Sequence, residues 1–183
     1  MRQSGLTTQA QAPRPEGIRH ASSAGDITLA HALFVEYARW LQVDLCFQGF
    51  QAELATLPGA YAPPRGRLLL AGPPGAAFGC IALRPLDASA GCAGDVPGPR
   101  GDASAAEVKR LYVQCAHRGN GWGKLLARAL FDEARGIGYR ELRLDTLVWM
   151  TAARALYSEL GFRECAPYYH NPNAGVVYMA LSL

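Results

Sequence analysis

The sequence predicts a mixed α/β domain built around one central sheet. Three observations predict it. Strand-like and helix-like segments follow one another in the order β-α-α-β-β-β-α-β-α-β-β. A strongly apolar strand leads through a glycine-rich loop into an amphipathic helix at the centre of the chain. No repeat or lasting break in patterning divides the 183 residues, a length that suits one domain.

Residues 16–21 read as a short first strand. Residues 26–45 read as a helix, with Leu29, Leu33, Tyr37, Trp40 and Leu41 on one face at helical spacing. A second short helix is expected over 51–57, stopped by Pro58-Gly59. Two strands, 67–71 and 77–83, flank the turn Gly72-Pro73-Pro74-Gly75. Residues 85–104 are rich in Gly, Ala, Pro and Asp and read as a long surface loop. A strand over 107–113 ends in Leu111-Tyr112-Val113. The helix over 121–135 carries the stripe Trp122, Leu125, Leu126, Ala129 and Leu130, with Lys124, Arg128, Asp132 and Arg135 turned away. A strand over 139–147 and a helix over 151–160 follow, the latter closed by Gly161 as its C-terminal cap. Strands near 163–166 and 176–181 complete the chain.

Composition excludes several function classes. Half of the residues are apolar and 18% are charged, and the net charge of +3 is too small to argue for nucleic-acid binding. The five cysteines are odd in number and widely spaced with no CxxC pair, as expected of reduced thiols in the cytoplasm. The four histidines form no metal-binding spacing, so no metal is expected. No apolar run approaches the ~20 residues that cross a bilayer, so no membrane partner is expected. Residues 1–15 lack a signal-peptide hydrophobic region and read as a flexible tail, leaving 16–183 as the single domain.

Gly119, Gly121 and Gly123 alternate between strand and helix, with Arg118 and Lys124 beside them. Glycine lets a ligand approach the backbone amides, and a helix N-terminus offers unpaired N–H groups and partial positive charge. The segment Arg118-Gly119-Asn120-Gly121-Trp122-Gly123-Lys124 therefore reads as a diphosphate cradle. It is not a nucleotide-triphosphate loop, which needs GxxxxGK and then Ser or Thr; Leu125 follows Lys124 here. The spacing GxGxG also departs from the dinucleotide fingerprint GxGxxG.

The strand Glu107-Val108-Lys109-Arg110-Leu111-Tyr112-Val113 followed by Arg118-x-x-Gly121-x-Gly123 resembles the signature of the GNAT superfamily of N-acetyltransferases. A second element, Ala153-x-x-Leu156-Tyr157-x-x-x-Gly161-Phe162, resembles the same family. The resemblance is firm over about 105–165. It extends through Tyr168-Tyr169-His170-Asn171-Pro172, a pattern similar to that of a bacterial subgroup. It implies a central twisted mixed sheet of six to seven strands flanked by about four helices.

The resemblance implies an acetyltransferase that uses acetyl-CoA as cosubstrate, no metal, and a small-molecule or peptide primary amine as acceptor. Family members often form homodimers. A non-catalytic acyl-CoA-binding or sensor module of the same fold is the alternative; it would need neither Tyr157 nor Glu107. By resemblance, the CoA diphosphate sits on the amides of Gly119 to Lys124, and the pantetheine arm pairs with Leu111, Tyr112 and Val113. Tyr157 matches the tyrosine that protonates the leaving sulfur; its bland reading is a core tyrosine. Glu107, eleven positions before Arg118, matches a position where some members carry a general-base glutamate, often acting through water; its bland reading is a surface carboxylate paired with Lys109 or Arg110. Asp145 is the alternative base. Tyr37, Trp40, Asp145, Tyr168, Tyr169 and His170 are expected around the acceptor, although Tyr37 and Trp40 equally suit a core and His170 a surface loop. Met150 stands where many members carry an arm-binding Asn.

Overall fold

The computed structural model describes residues 16–43, 45, 49–86 and 104–183. The tail expected over 1–15 and most of the loop expected over 85–104 lie outside the described residues. So do Cys46 and Cys92; Cys80, Cys115 and Cys165 carry free thiols.

The described residues form seven strands and four α-helices in the order anticipated. They are β1 (Ile18–His20), α1 (Ala24–Leu41), α2 (Phe50–Thr56), β2 (Arg67–Ala71), β3 (Gly79–Pro85), β4 (Ala105–Val113), α3 (Trp122–Ile137), β5 (Glu141–Leu147), α4 (Thr151–Glu159), β6 (Arg163–Glu164) and β7 (Val176–Ser182). One sheet runs β1-β2-β3-β4-β5-β7-β6. All neighbours pair antiparallel except β4 and β5, the parallel pair joined by the crossover through α3.

The ends of the helices account for the differences from the expected boundaries. α1 opens on a reciprocal cap: Ser23 accepts from the Asp26 amide while the Asp26 carboxylate accepts from the Ser23 amide. It ends at Leu41 rather than residue 45 because Gln42 turns left-handed (φ 54°). α3 runs two residues past Arg135. The Gly138 amide then caps the carbonyls of Ala134 and Arg135, and the Tyr139 amide returns to Ala134, which delays β5 to Glu141.

The sheet separates two apolar layers. On one face Leu69, Ile81, Leu83, Val108, Leu142 and Leu144 pack against Leu126, Ala127 and Leu130 of α3. On the other, Leu68, Leu70, Cys80, Ala82 and Tyr112 pack against Ala30, Leu33 and Phe34 of α1. α3 is tied across to β1 and β2 by buried Glu133, whose carboxylate takes Arg67 Nε at 2.6 Å and lies 3.0 Å from His20 Nε2.

Two irregularities in β4 shape the centre of the sheet. β4 and β5 pair only at Ala105–Glu141, Ala106–Leu142 and Glu107–Arg143, and then diverge. On its other edge, β4 pairs Tyr112 with Cys80 and Lys109 with Ala82, so Arg110 and Leu111 together oppose Ile81. That extra residue is a β-bulge, and Arg110 takes φ 58° within it. The bulge shifts the alternation of side chains. Ala106, Val108, Leu111 and Val113 face α3, whereas Tyr112 packs with α1 and Arg110 reaches Glu53 of α2.

Leu130 is fully buried at the junction of α3 and the sheet. Leu130→Ala is expected to cost about 2–5 kcal/mol, the usual range for a core leucine. Urea unfolding should show a lower midpoint with an unchanged slope.

Candidate active site

Where β4 and β5 part, they open a cavity of about 470 Å³. Val108 to Val113 line one side, and Asp145, Thr146 and Leu147 the other. The divergence leaves one edge of β4 without a strand partner over these residues, so a ligand can lie along it as an extra strand would. The Val113 carbonyl already accepts from Arg118 Nε at 2.8 Å.

The glycine loop closes one end. Gly119 and Gly121 adopt φ 80° and 78°, and a Cβ at either would meet nothing within 4 Å. Their role is therefore conformational and leaves open space, which distinguishes them from packing glycines. Gly123 differs: a Cβ there would sit 3.4 Å from Leu156, so it sets the approach of α3 to α4. Gly121 is the N-cap of α3 and no side chain caps the helix. Its first amides thus have no intrahelical partner and face the loop as free donors. These residues fit a phosphate-bearing ligand. Lys124 is meanwhile ion-paired with the exposed Glu159, and Arg118 stacks over Trp40 at 4.6 Å and Tyr112 at 5.5 Å.

Tyr157 projects from α4 into the cavity wall and packs edge-on against Phe162, with ring centroids 5.6 Å apart. Burial pushes its phenol well above the usual tyrosine value, so it stays protonated across the physiological range. Its hydroxyl bonds to none of the described residues. Tyr37 and Trp40 also line the cavity, with Tyr112 within 6.2 Å of both rings. Burial pushes the Tyr37 phenol up to about 12. At the rim, Trp40 meets Trp149 at 6.0 Å; both are exposed, as is Val148.

Asp145 is the carboxylate on the inner wall. It accepts from Lys109 Nζ and Asn171 Nδ2, each at 3.2 Å, and from Tyr169. Burial alone would push its carboxyl up, but the Lys109 ammonium and the hydrogen bonds from Tyr169 and Lys109 outweigh burial and hold it below the ordinary value of 3.8.

The surface reading of Glu107 requires a correction. The residue expected to serve as base lies 1% exposed within the sheet and does not line the cavity. It sits opposite Arg84 of β3 and Arg143 of β5 in the ladders. Its Oε2 meets Arg84 at 2.6 Å, and its Oε1 accepts from the Tyr168 hydroxyl at 3.0 Å and lies 3.4 Å from Lys109 Nζ. Arg84, Lys109 and Tyr168 thus engage both carboxylate oxygens, and Glu107 ties β4 to β3 through Arg84. It is therefore not the surface carboxylate of the bland reading.

The expected acceptor residues divide. Tyr37, Trp40 and Asp145 line the cavity. Tyr168, Tyr169 and His170 do not: Tyr168 is held by Glu107, Tyr169 by Asp145, and His170 is exposed. Asn171 and Asn173, from the same segment, line it instead and were not singled out. Asn173 is set by its amide donating to Asn171 Oδ1 at 3.0 Å. Met150 also lines the cavity and accepts from Thr146 Oγ1 through sulfur at 3.6 Å. Among the described residues no group of three or more His, Cys, Asp and Glu is arranged to hold a metal, and no helix is long and apolar enough to cross a membrane.

Comparison with known proteins adds a family. The model of the acetyltransferase (GNAT) family matches residues 34–162. An uncharacterized N-acetyltransferase of Schizosaccharomyces pombe is 37% identical over 152 residues, which is 82% of this chain and 85% of the relative. Among solved structures, an acetyltransferase from Streptococcus agalactiae superposes with a TM-score of 0.68 at 17% identity, covering 92% of this chain and 99% of the other. A protein from Salmonella typhimurium solved with its cofactor acetyl-CoA superposes with a TM-score of 0.61 at 22% identity, covering 90% and 92%.

Two carboxylates near the cavity sit below their ordinary values. Burial pushes the Glu53 carboxyl up, but its bonds to Arg110 outweigh that, as Lys109 does for Asp145. Both groups bind fewer protons folded than unfolded. Their stabilisation is therefore complete above the ordinary carboxylate values of 4.5 and 3.8 and is lost as pH falls through the depressed folded values. Thermal unfolding should give a flat Tm above about pH 5 and a falling one below it, with a shallower acid slope in Asp145→Asn.

Proposed function

The chain belongs to the acetyltransferase (GNAT) family, and on that premise we propose that it moves an acetyl group from acetyl-CoA to a primary amine carried by a small molecule or peptide. The observation that carries the reading is the parting of β4 and β5 between an uncapped α3 N-terminus and the Tyr157 hydroxyl. Acetyl-CoA supplies an activated thioester; the remaining work falls to residues of the chain.

In this reading the amides of Gly119 to Lys124 hold the diphosphate. Lys124 leaves Glu159 to join them at little cost, since that pair is exposed. Leu111, Tyr112 and Val113 receive the pantetheine arm along the open edge of β4. The Leu111 amide polarises the thioester carbonyl and stabilises the oxyanion that forms when the amine nitrogen attacks. As the carbon–sulfur bond breaks, Tyr157 donates its proton to the sulfur. The dry wall that keeps the phenol protonated also disfavours the bare thiolate, so the transfer stays matched.

Asp145 takes over the part expected of Glu107. It remains ionised beside the cavity, where it orients the incoming ammonium or the water that accepts its proton. Held low by Lys109, it is a weak base, which favours relay through water to solvent over a stored proton. Tyr37 and Trp40 flank the approach and suit an amine with an apolar or cationic body.

The test is thiol release from acetyl-CoA across a panel of primary amines. Amine-dependent release supports the reading; tight CoA binding with no turnover on any amine would overturn it in favour of a binding or sensing module. With an accepted amine, Tyr157→Phe should lower kcat about 100-fold and leave KM for acetyl-CoA nearly unchanged. An equal loss in KM alone would make Tyr157 a packing residue.

A further inference from the structure

The β4 bulge is held by a contact that the acetyl-transfer reading does not use. Arg110, in the left-handed region at φ 58°, is one of two described non-glycine residues with positive φ; the other, Gln42, ends a helix. A side chain there strains the backbone, and such conformations persist only where the surroundings enforce them. The surroundings are specific. The Arg110 side chain is 3% exposed and forks onto Glu53 of α2, with Nε to Oε1 at 2.8 Å and Nη2 to Oε2 at 2.5 Å. Glu53 Oε1 also accepts from the Tyr61 hydroxyl at 2.8 Å. The guanidinium lies 5.0 Å from the centre of the Phe50 ring. Behind it, Cys80 Sγ donates to the Arg110 carbonyl at 3.3 Å.

The strained residue is thus pinned at Nε, Nη2 and its carbonyl, and the next residue is Leu111, on the cavity wall. We propose that Arg110 and Glu53 form a positioning clamp: α2 holds the bulge so that the Leu111 amide keeps its direction toward the thioester carbonyl. Arg110 is a positioning residue that acts through the backbone of its neighbour. A bidentate arginine fits this task because its planar fork fixes orientation, which a lysine ammonium does not. The inference rests on the acetyl-transfer reading for the identity of the carbonyl.

The test needs no acceptor. Acetyl-CoA labelled with ¹³C at the carbonyl is bound to the full chain, and its resonance reports hydrogen-bond polarisation. The wild type should shift the resonance downfield from that of free acetyl-CoA. Removing only one partner strands a buried charge and threatens folding, so two double variants are compared, with circular dichroism confirming their fold. Arg110→Ala/Glu53→Gln should lose most of the shift while its Kd for CoA changes less than about threefold, and kcat on any accepted amine should fall at least tenfold. Arg110→Gly/Glu53→Gln should retain more of both, because glycine tolerates the bulge conformation without a clamp. A full shift in the alanine variant, or equal behaviour of the two variants, would overturn the clamp. A wild type that binds CoA without shifting the carbonyl would do the same. Failure of the wild type to bind CoA at all would overturn the functional reading itself, together with the clamp that rests on it.

Discussion

Three residue pairs join β4 to β5 before the strands part, and the candidate site depends on that short ladder. Parallel strands that stayed paired would spend the backbone groups of Leu111 to Val113 on each other. Strands that never paired would not bring Asp145 opposite Lys109. At its last step stands Glu107, with Arg84 and Arg143 as its ladder neighbours; its charge is met by Arg84 of β3 and Lys109 of its own strand, and Tyr168 closes over it. The carboxylate at the apex of the cleft is therefore buried and ties β4 to β3.

On the α1 and α2 side of that apex, buried and half-buried charges alternate in sign: Arg84, Glu107, Lys109 and Asp145 in one line, with Arg110 and Glu53 beside it. Taken singly, each would be costly to bury; paired and hydrogen-bonded, they are tolerated, and loss of one member exposes the others. The bulge makes this layer. It places two consecutive residues, Lys109 and Arg110, on the same side of β4, which a regular strand cannot do.

The element order, the amphipathic stripe of α3 and the glycine loop were legible because each is written in local sequence. Alternating glycines at Gly119 and Gly121 permit left-handed turns without strain, and the structure gives them φ near 80°. The burial of Glu107 was not legible because its environment is set by strands 23 residues before it and 36 after it, at Arg84 and Arg143. The bulge did leave a trace. In Glu107-Val108-Lys109-Arg110-Leu111 the alternation of polar and apolar residues slips by one at Lys109-Arg110, and a phase slip within a strand is the mark of an inserted residue. Asn171 and Asn173 had no comparable signal; they reach the cavity only because the segment before β7 folds back over β5.

All three tryptophans of the chain border the same cleft. Trp40 and Trp122 line it, and Trp149 rests against Trp40 at the rim. No indole is buried in a remote part of the fold to supply a constant background. The ultraviolet emission of the protein is therefore an optical gauge of that one space. A molecule entering beside the α3 N-terminus changes the water around Trp122, and one crossing the rim changes the tilted pair of Trp40 and Trp149. Two different visitors would leave two different spectra in a chain that carries no added label.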